Sequence, residues 1–223
     1  DEWWQEDKNF RILHKINPLR IAYIRSMIAQ HFDIAGEADF LKLKILDVGC
    51  GGGLVSVPMA KAGAQVSALD GGRANLEAAK QYAQNNKIEN INFIHSSVED
   101  YADYSTKYDV IISCELIEHL DNPLSLINLI DRLLDKSGMV IISTLNKSYL
   151  SWFLSIFVAE NIARIIPKNT HQYDKLICPA QIQETFGDKF LIRNLKGLSF
   201  LPIKGWHMSN FIQANYILYA TRR

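Results

Sequence analysis

The stretch from Lys44 to Gly53, KILDVGCGGG, decides the fold. An apolar run of strand character ends on Asp47 and Val48 and passes directly into Gly49, Gly51, Gly52 and Gly53. Glycine lets a backbone turn tightly and lie against a ligand with no side chain between them. The residues that follow, LVSVPMAKAG, have the apolar spacing of a helix that ends on Gly63. The loop therefore joins a strand to a helix N-terminus, which is where an open α/β sheet binds small molecules.

The loop also excludes ligands. A dinucleotide fingerprint needs GxGxxG, but counting from Gly49 puts Leu54 at the third glycine, and counting from Gly51 puts Ser56 there. No Lys followed by Ser or Thr closes the loop, so it is not a phosphate-binding P-loop. A second strand, QVSALD, ends on Asp70, whose carboxylate can accept from both hydroxyls of a ribose. Glycine loop plus strand-end acid, without phosphate-binding features, points to a nucleoside lacking a pyrophosphate.

With these residues in hand, LDVGCGGG followed by Asp70 resembles the cofactor half of the class I S-adenosylmethionine-dependent methyltransferases. The resemblance implies S-adenosylmethionine as methyl donor, with Gly49 and Gly51 against its amino-acid end and Asp70 on its ribose. It also implies a border of the adenine near Val98 and Glu99, and a backbone contact from Cys114.

From Lys44 onward, strands and helices alternate, which predicts a parallel, doubly wound sheet. The expected fold is α/β and Rossmann-like: a seven-stranded, mostly parallel sheet with helices on both faces and an antiparallel terminal hairpin. FLIRNLKGLSF and QANYILYATR supply that hairpin. YDVIISC, residues 108–114, is the fourth strand, and Asn122 with Pro123 caps and starts the helix PLSLINLIDRLL, which is expected to stop near Ser137 and Gly138. The 223 residues fit one domain.

Between that strand and that helix lies CELIEHLDNP. One helical turn there would put Glu115, Glu118 and His119 at i, i+3 and i+4, on one side. Two carboxylates and an imidazole at a strand's carboxyl end can bind a divalent cation such as Mg²⁺, or serve as acid and base. Both uses suit a phenolic acceptor, because a hydroxyl with a pKa near ~10 is a poor nucleophile at neutral pH.

At the N-terminus, Ile21, Ile24, Ile28 and Phe32 predict a helix capped by Asn17, with Pro18 at its first position. Arg20 would then oppose the helix dipole and call for an anionic partner. FRILHKINPLR resembles the segment of the ubiquinone-biosynthesis O-methyltransferases that folds over the cofactor, which implies that residues 1–35 form a cover and that Arg20 meets the cofactor carboxylate.

Residues 148–168 carry no charge from Ser148 through Ala159 and include Trp152, Phe153 and Phe157. That is short of the ~20 apolar residues of a membrane span. Segment 148–171 resembles the insertion that the same family places over its active site and against the membrane. Thr170 and His171 match that family's Thr-His, with Asn169 in place of its glycine, so His171 joins the catalytic candidates. The intervening PIKGWHMSN, with Trp206 and His207, is a candidate lining for the ring pocket.

The resemblance runs from Trp3 to Tyr219. It implies O-methylation of a polyprenylated phenol and of demethylubiquinol, a peripheral site on the inner face of the membrane, and contact with other ubiquinone-biosynthesis proteins. With 24 basic and 24 acidic residues, nothing global favours nucleic acid. RNA 2′-O-methylation, which shares the Glu-x-x-Glu-His pattern, and a non-catalytic cofactor-binding subunit stay as competing readings. The three cysteines, Cys50, Cys114 and Cys178, form no CxxC pair and suggest a reducing cytosol. No signal peptide is visible, and the chain begins on Asp1.

Overall fold

The computed structural model describes residues 2–4, 11–34, 36–101, 103, 105–148, 175–203 and 205–223, without the side chains of 2, 11, 12 and 37–39. His171 and nearly all of the 148–171 segment lie outside the described residues.

The strands are β1 (Lys44–Val48), β2 (Gln65–Asp70), β3 (Ile91–His95), β4 (Tyr108–Cys114), β5 (Leu134–Leu145), β6 (Phe190–Leu201), β7 (Gly205–Ser209) and β8 (Asn215–Arg222). They form one sheet in the order β3-β2-β1-β4-β5-β8-β6-β7. β1 to β5 are parallel, and β8 inserts antiparallel between β5 and β6. The sheet thus has eight strands rather than seven. The extra one, β7, pairs antiparallel with β6 and is built from the PIKGWHMSN stretch read above as pocket lining.

Among the described residues, five α-helices cover the sheet: α1 (Arg11–Phe32), α2 (Ser56–Lys61), α3 (Arg73–Asn85), α4 (Pro123–Leu133) and α5 (Pro179–Phe186). Strand alternation divides the core. Leu46, Val48, Ile111, Val140 and Ile142 pack with Ile127 of α4 and Phe186 of α5. Ile45, Val110, Ile112 and Ile141 face the other way, toward Ile24 and Ile28 of α1 and Met59 of α2. Central strands buried on both faces read as continuous apolar runs, which is why β1 and β4 were legible. Asn122 does cap α4, accepting from the Leu124 N–H at 3.0 Å.

Two boundaries differ from the sequence reading. α4 stops at Leu133, and the chain enters β5 at once rather than near Ser137 and Gly138. α1 begins at Arg11, so Pro18 lies inside the helix and Asn17 is not its cap. Proline there removes an N–H that would have reached the His14 carbonyl. The Asn17 side chain instead donates to the Leu54 carbonyl at 2.8 Å and ties α1 to the glycine loop. The helix-dipole argument for Arg20 falls with the cap.

Candidate active site

The sheet order reverses between β1 and β4, and the crevice at their carboxyl ends is where such a fold binds ligands. On the β1–β2 side, Gly49, Gly51 and Gly53 take φ of +74°, +52° and +85°, a backbone that side chains rarely adopt. Asp70 accepts from the Gly51 N–H at 2.8 Å and the Gly72 N–H at 2.7 Å, so the acid shapes the loop as well as facing it. Asp47 is buried and accepts from Ser56 Oγ at 2.5 Å. Burial, more than the nearby Asp70 charge, pushes its pKa up to about 6.

α1 brings Arg20 into the crevice. Its side chain is 5% exposed, and Nη2 donates to Glu115 Oε1 at 2.8 Å. Nε is buried and has no partner within the protein. A buried guanidinium left partly unpaired is costly, so its remaining donors suit an anion such as a cofactor carboxylate. The described residues hold five buried side-chain polar atoms without a protein partner: Asn17 Oδ1, Arg20 Nε, Ser113 Oγ, Glu118 Oε2 and Asn146 Oδ1. All come from α1, from β4 and the turn after it, or from the end of β5, the elements that wall this crevice.

Beyond β4 the structure corrects the sequence geometry. The turn is a single 3₁₀ turn, Ile117–His119, and Glu115 stands before it with φ +54°, a left-handed conformation that is uncommon outside glycine. Glu115 therefore does not share a helical face with Glu118 and His119. Its Oε1 accepts from both Arg20 and Ser143 Oγ, the latter at 3.0 Å, and its N–H donates to the Ser143 carbonyl at 2.8 Å. Glu118 is 4% exposed. Burial first, and then the Glu115 charge, push its pKa up to about 8. His119 is shifted the other way, because burial disfavours the imidazolium more than Glu115 favours it. Among the described residues no group of three His, Cys, Asp or Glu side chains is placed to hold a metal ion. With Glu115 engaged by Arg20, the set Glu115, Glu118 and His119 does not fit a divalent cation by itself.

Val98 lies in the turn after β3 and is buried against the core. Cys114 is partly buried, and burial pushes its thiol up to about 11, which leaves it a poor nucleophile. The sequence reading missed Trp3 and Trp4. The Trp3 indole lies against the loop, so closely that a Cβ on Gly52 would come 2.3 Å from Trp3 Cγ, and its Nε1 donates to Asn75 Oδ1 at 3.1 Å. Trp4 Nε1 donates to the Gly52 carbonyl at 2.9 Å, while its ring stacks on Tyr82. Two adjacent tryptophans in a charged segment were the available signal.

The family model described as "Methyltransferase domain" matches residues 40–196. A protein of Rickettsia felis named "Ubiquinone biosynthesis O-methyltransferase" is 41% identical over 224 residues, covering 99% of this chain and 88% of that one. The chain belongs to the ubiquinone biosynthesis O-methyltransferase family. A family member from Bartonella quintana is 36% identical over 225 residues, covering 99% and 91% of the two chains. Magnesium protoporphyrin IX methyltransferase from Synechocystis PCC 6803, solved with bound S-adenosylmethionine, shares the fold at a TM-score of 0.64 and 21% identity, over 99% of this chain and 88% of that one. The fold is that of S-adenosylmethionine-dependent methyltransferases, and family membership makes this chain an O-methyltransferase.

Proposed function

We propose that the protein transfers the methyl group of S-adenosylmethionine to phenolic hydroxyls of polyprenylated ubiquinone precursors, 2-polyprenyl-6-hydroxyphenol and 3-demethylubiquinol. The observation that carries this reading is the near-complete match to relatives of that name. The crevice supports it with a guanidinium whose Nε has no protein partner and an imidazole that favours its neutral form, both acting on or through Glu115.

When bound, S-adenosylmethionine supplies a methyl group on a positive sulfur, open to in-line attack. Arg20 holds the cofactor's carboxylate through the donors that Glu115 leaves open, and Glu115 fixes the guanidinium. Asp70 takes the ribose hydroxyls, Gly49 and Gly51 lie against the amino-acid end, and Val98 and the Cys114 backbone complete that half. Residues 1–35 cover it, with Trp3 and Trp4 on the loop.

On the β4–β5 wall His119, neutral at physiological pH, takes the phenolic proton as the oxygen attacks. The Glu115 carboxylate, whose charge favours the imidazolium, offsets the developing positive charge. General-base assistance of this kind contributes ~10²–10⁴-fold. A divalent cation at Glu118 and His119 would need a ligand from outside the described residues, where His171 is a candidate.

Segment 148–171 is the lid over the prenyl tail and a peripheral membrane contact, a reading supported by its apolar composition. No helix among the described residues is long and apolar enough to cross a membrane.

The test is methyl transfer from labelled S-adenosylmethionine to a panel of short-chain demethylubiquinol, 2-prenyl-6-hydroxyphenol, simple catechols and small RNA. Label in the first two supports the reading. Label in RNA alone replaces it with 2′-O-methylation, and cofactor binding without transfer to any acceptor replaces it with a non-catalytic subunit.

A further inference from the structure

The β6–β7 hairpin carries an apolar tip that the methyl-transfer reading does not use. Phe200 is 57% exposed, Leu201 50% and Ile203 102%. Trp206 packs beside Phe200, with ring centroids 5.4 Å apart. Large side chains concentrated at one protruding turn differ from the scattered apolar exposure normal on a surface.

Strand register shows where the tip stands. β5 and β6 run in the same direction, both antiparallel to β8. Through Ile217, Lys196 is level with Ser143, the residue that bonds Glu115. Asn215, the first residue of β8, brackets Leu198 with hydrogen bonds of 2.8 and 3.1 Å, closing the β6–β8 ladder. Leu201 then lies about 10 Å past that level at ~3.3 Å per residue. The tip therefore overhangs the same end of the sheet as the active-site crevice.

The segments that build the tip and pack beside it lack carboxylates. Residues 189–223 contain Lys189, Arg193, Lys196, Lys204, Arg222 and Arg223 but no Asp or Glu, and Arg11–Phe32 has none either, in a chain whose overall charge is +0. α1 packs beside β7, and Tyr23 bonds Asn194 of β6 at 2.8 Å. The Arg20–Glu115 and His31–Ser137 contacts turn the N-terminal half of α1 toward the crevice end, which puts exposed Lys15 there. Lys189, Arg222 and Arg223 bond Asp131 and Asp188, whereas Lys196 donates to the neutral Asn210. An apolar turn on segments that carry cations and no acids matches the interface of an anionic bilayer.

We propose that the β6–β7 tip is a second membrane contact, separate from segment 148–171. Leu201 and Ile203 enter the headgroup region, and Lys15 and Lys196 face lipid phosphates, so that the crevice opens onto the bilayer. The inference rests on the reading of a lipid-tailed acceptor.

The experiment is flotation of the full chain with vesicles of phosphatidylcholine alone or mixed with phosphatidylglycerol. Wild type is compared with the double variant Leu201→Asp, Ile203→Asp. The expected result is binding to the anionic vesicles that falls at least tenfold in the variant, while affinity for S-adenosylhomocysteine stays within twofold. Brominated lipid is expected to quench the wild type more than Trp206→Phe. Variant binding within twofold of wild type, or equal quenching of wild type and Trp206→Phe, overturns the proposal. So does a wild-type dimer dissolved by the variant without vesicle binding, which assigns the tip to a second copy of the chain. So does altered turnover of a soluble quinol with unchanged flotation, which assigns it to the lid. Failure of the methyltransferase reading appears separately, as no transfer by wild type to a soluble short-chain quinol.

Discussion

The two walls of the crevice are built differently. The β1–β2 wall is made largely of backbone: left-handed glycines, loop N–H groups and the acid that ties them together, all within residues 47–72. The β4–β5 wall is made of side chains held across long sequence distances. Glu115 is anchored by Arg20 and by Ser143, and His119 feels Glu115 and Lys175. A backbone wall suits a cofactor whose shape is fixed, while a side-chain wall can carry proton chemistry. Substitutions should therefore separate cofactor binding from turnover.

The largest separation is expected from His119→Ala and Arg20→Ala. His119→Ala should lower kcat by ~10²–10³-fold, in the range of lost general-base catalysis, with affinity for S-adenosylhomocysteine unchanged in a calorimetric titration. Arg20→Ala should weaken that affinity by ~10²-fold, on the order of 3 kcal/mol for the loss of a buried charged donor. Equal loss of binding and turnover in both variants would dissolve the contrast.

Glu115→Gly sharpens it further. Glycine accepts the left-handed backbone at this position without strain. A purely structural glutamate would leave cofactor binding alone, whereas a residue that positions Arg20 should cost ~10-fold in affinity for S-adenosylhomocysteine, about 1.4 kcal/mol. KM for the quinol should move less than KM for the cofactor.

Asp47 gives a pH test on the backbone wall. Its folded pKa, raised by burial to about 6, lies above the ordinary 3.8, so the folded state binds more protons between those values. Its contribution to stability is full below the unfolded value and is lost as pH rises through 6, by up to ~3 kcal/mol. Thermal melts of Asp47→Asn should lack the part of that fall that wild type shows. The smallest effect belongs to metal removal: a chelator should leave S-adenosylhomocysteine affinity within twofold, because Glu115 bonds Arg20.

The contrast between the walls also explains what the sequence disclosed. KILDVGCGGG, Asp70 and the buried runs of β1, β2 and β4 are local patterns whose physics is contained within a few residues, and their boundaries were read closely. Glu115 defeated helical spacing because its left-handed backbone is held by residues 95 and 28 positions away. Asn17 and Pro18 imitated a helix start, since a cap residue and a residue donating to a distant carbonyl look alike until Leu54 is in place. Trp3 on Gly51 and Gly52 and the eighth strand rest on contacts that no local period encodes.

The most direct measurement is a side-by-side titration of S-adenosylhomocysteine into wild type, His119→Ala and Arg20→Ala, paired with turnover of short-chain demethylubiquinol. The account predicts that His119→Ala binds like wild type but turns over at least a hundredfold more slowly, while Arg20→Ala loses binding. Wild-type affinity in Arg20→Ala, or lost binding in His119→Ala, would contradict it.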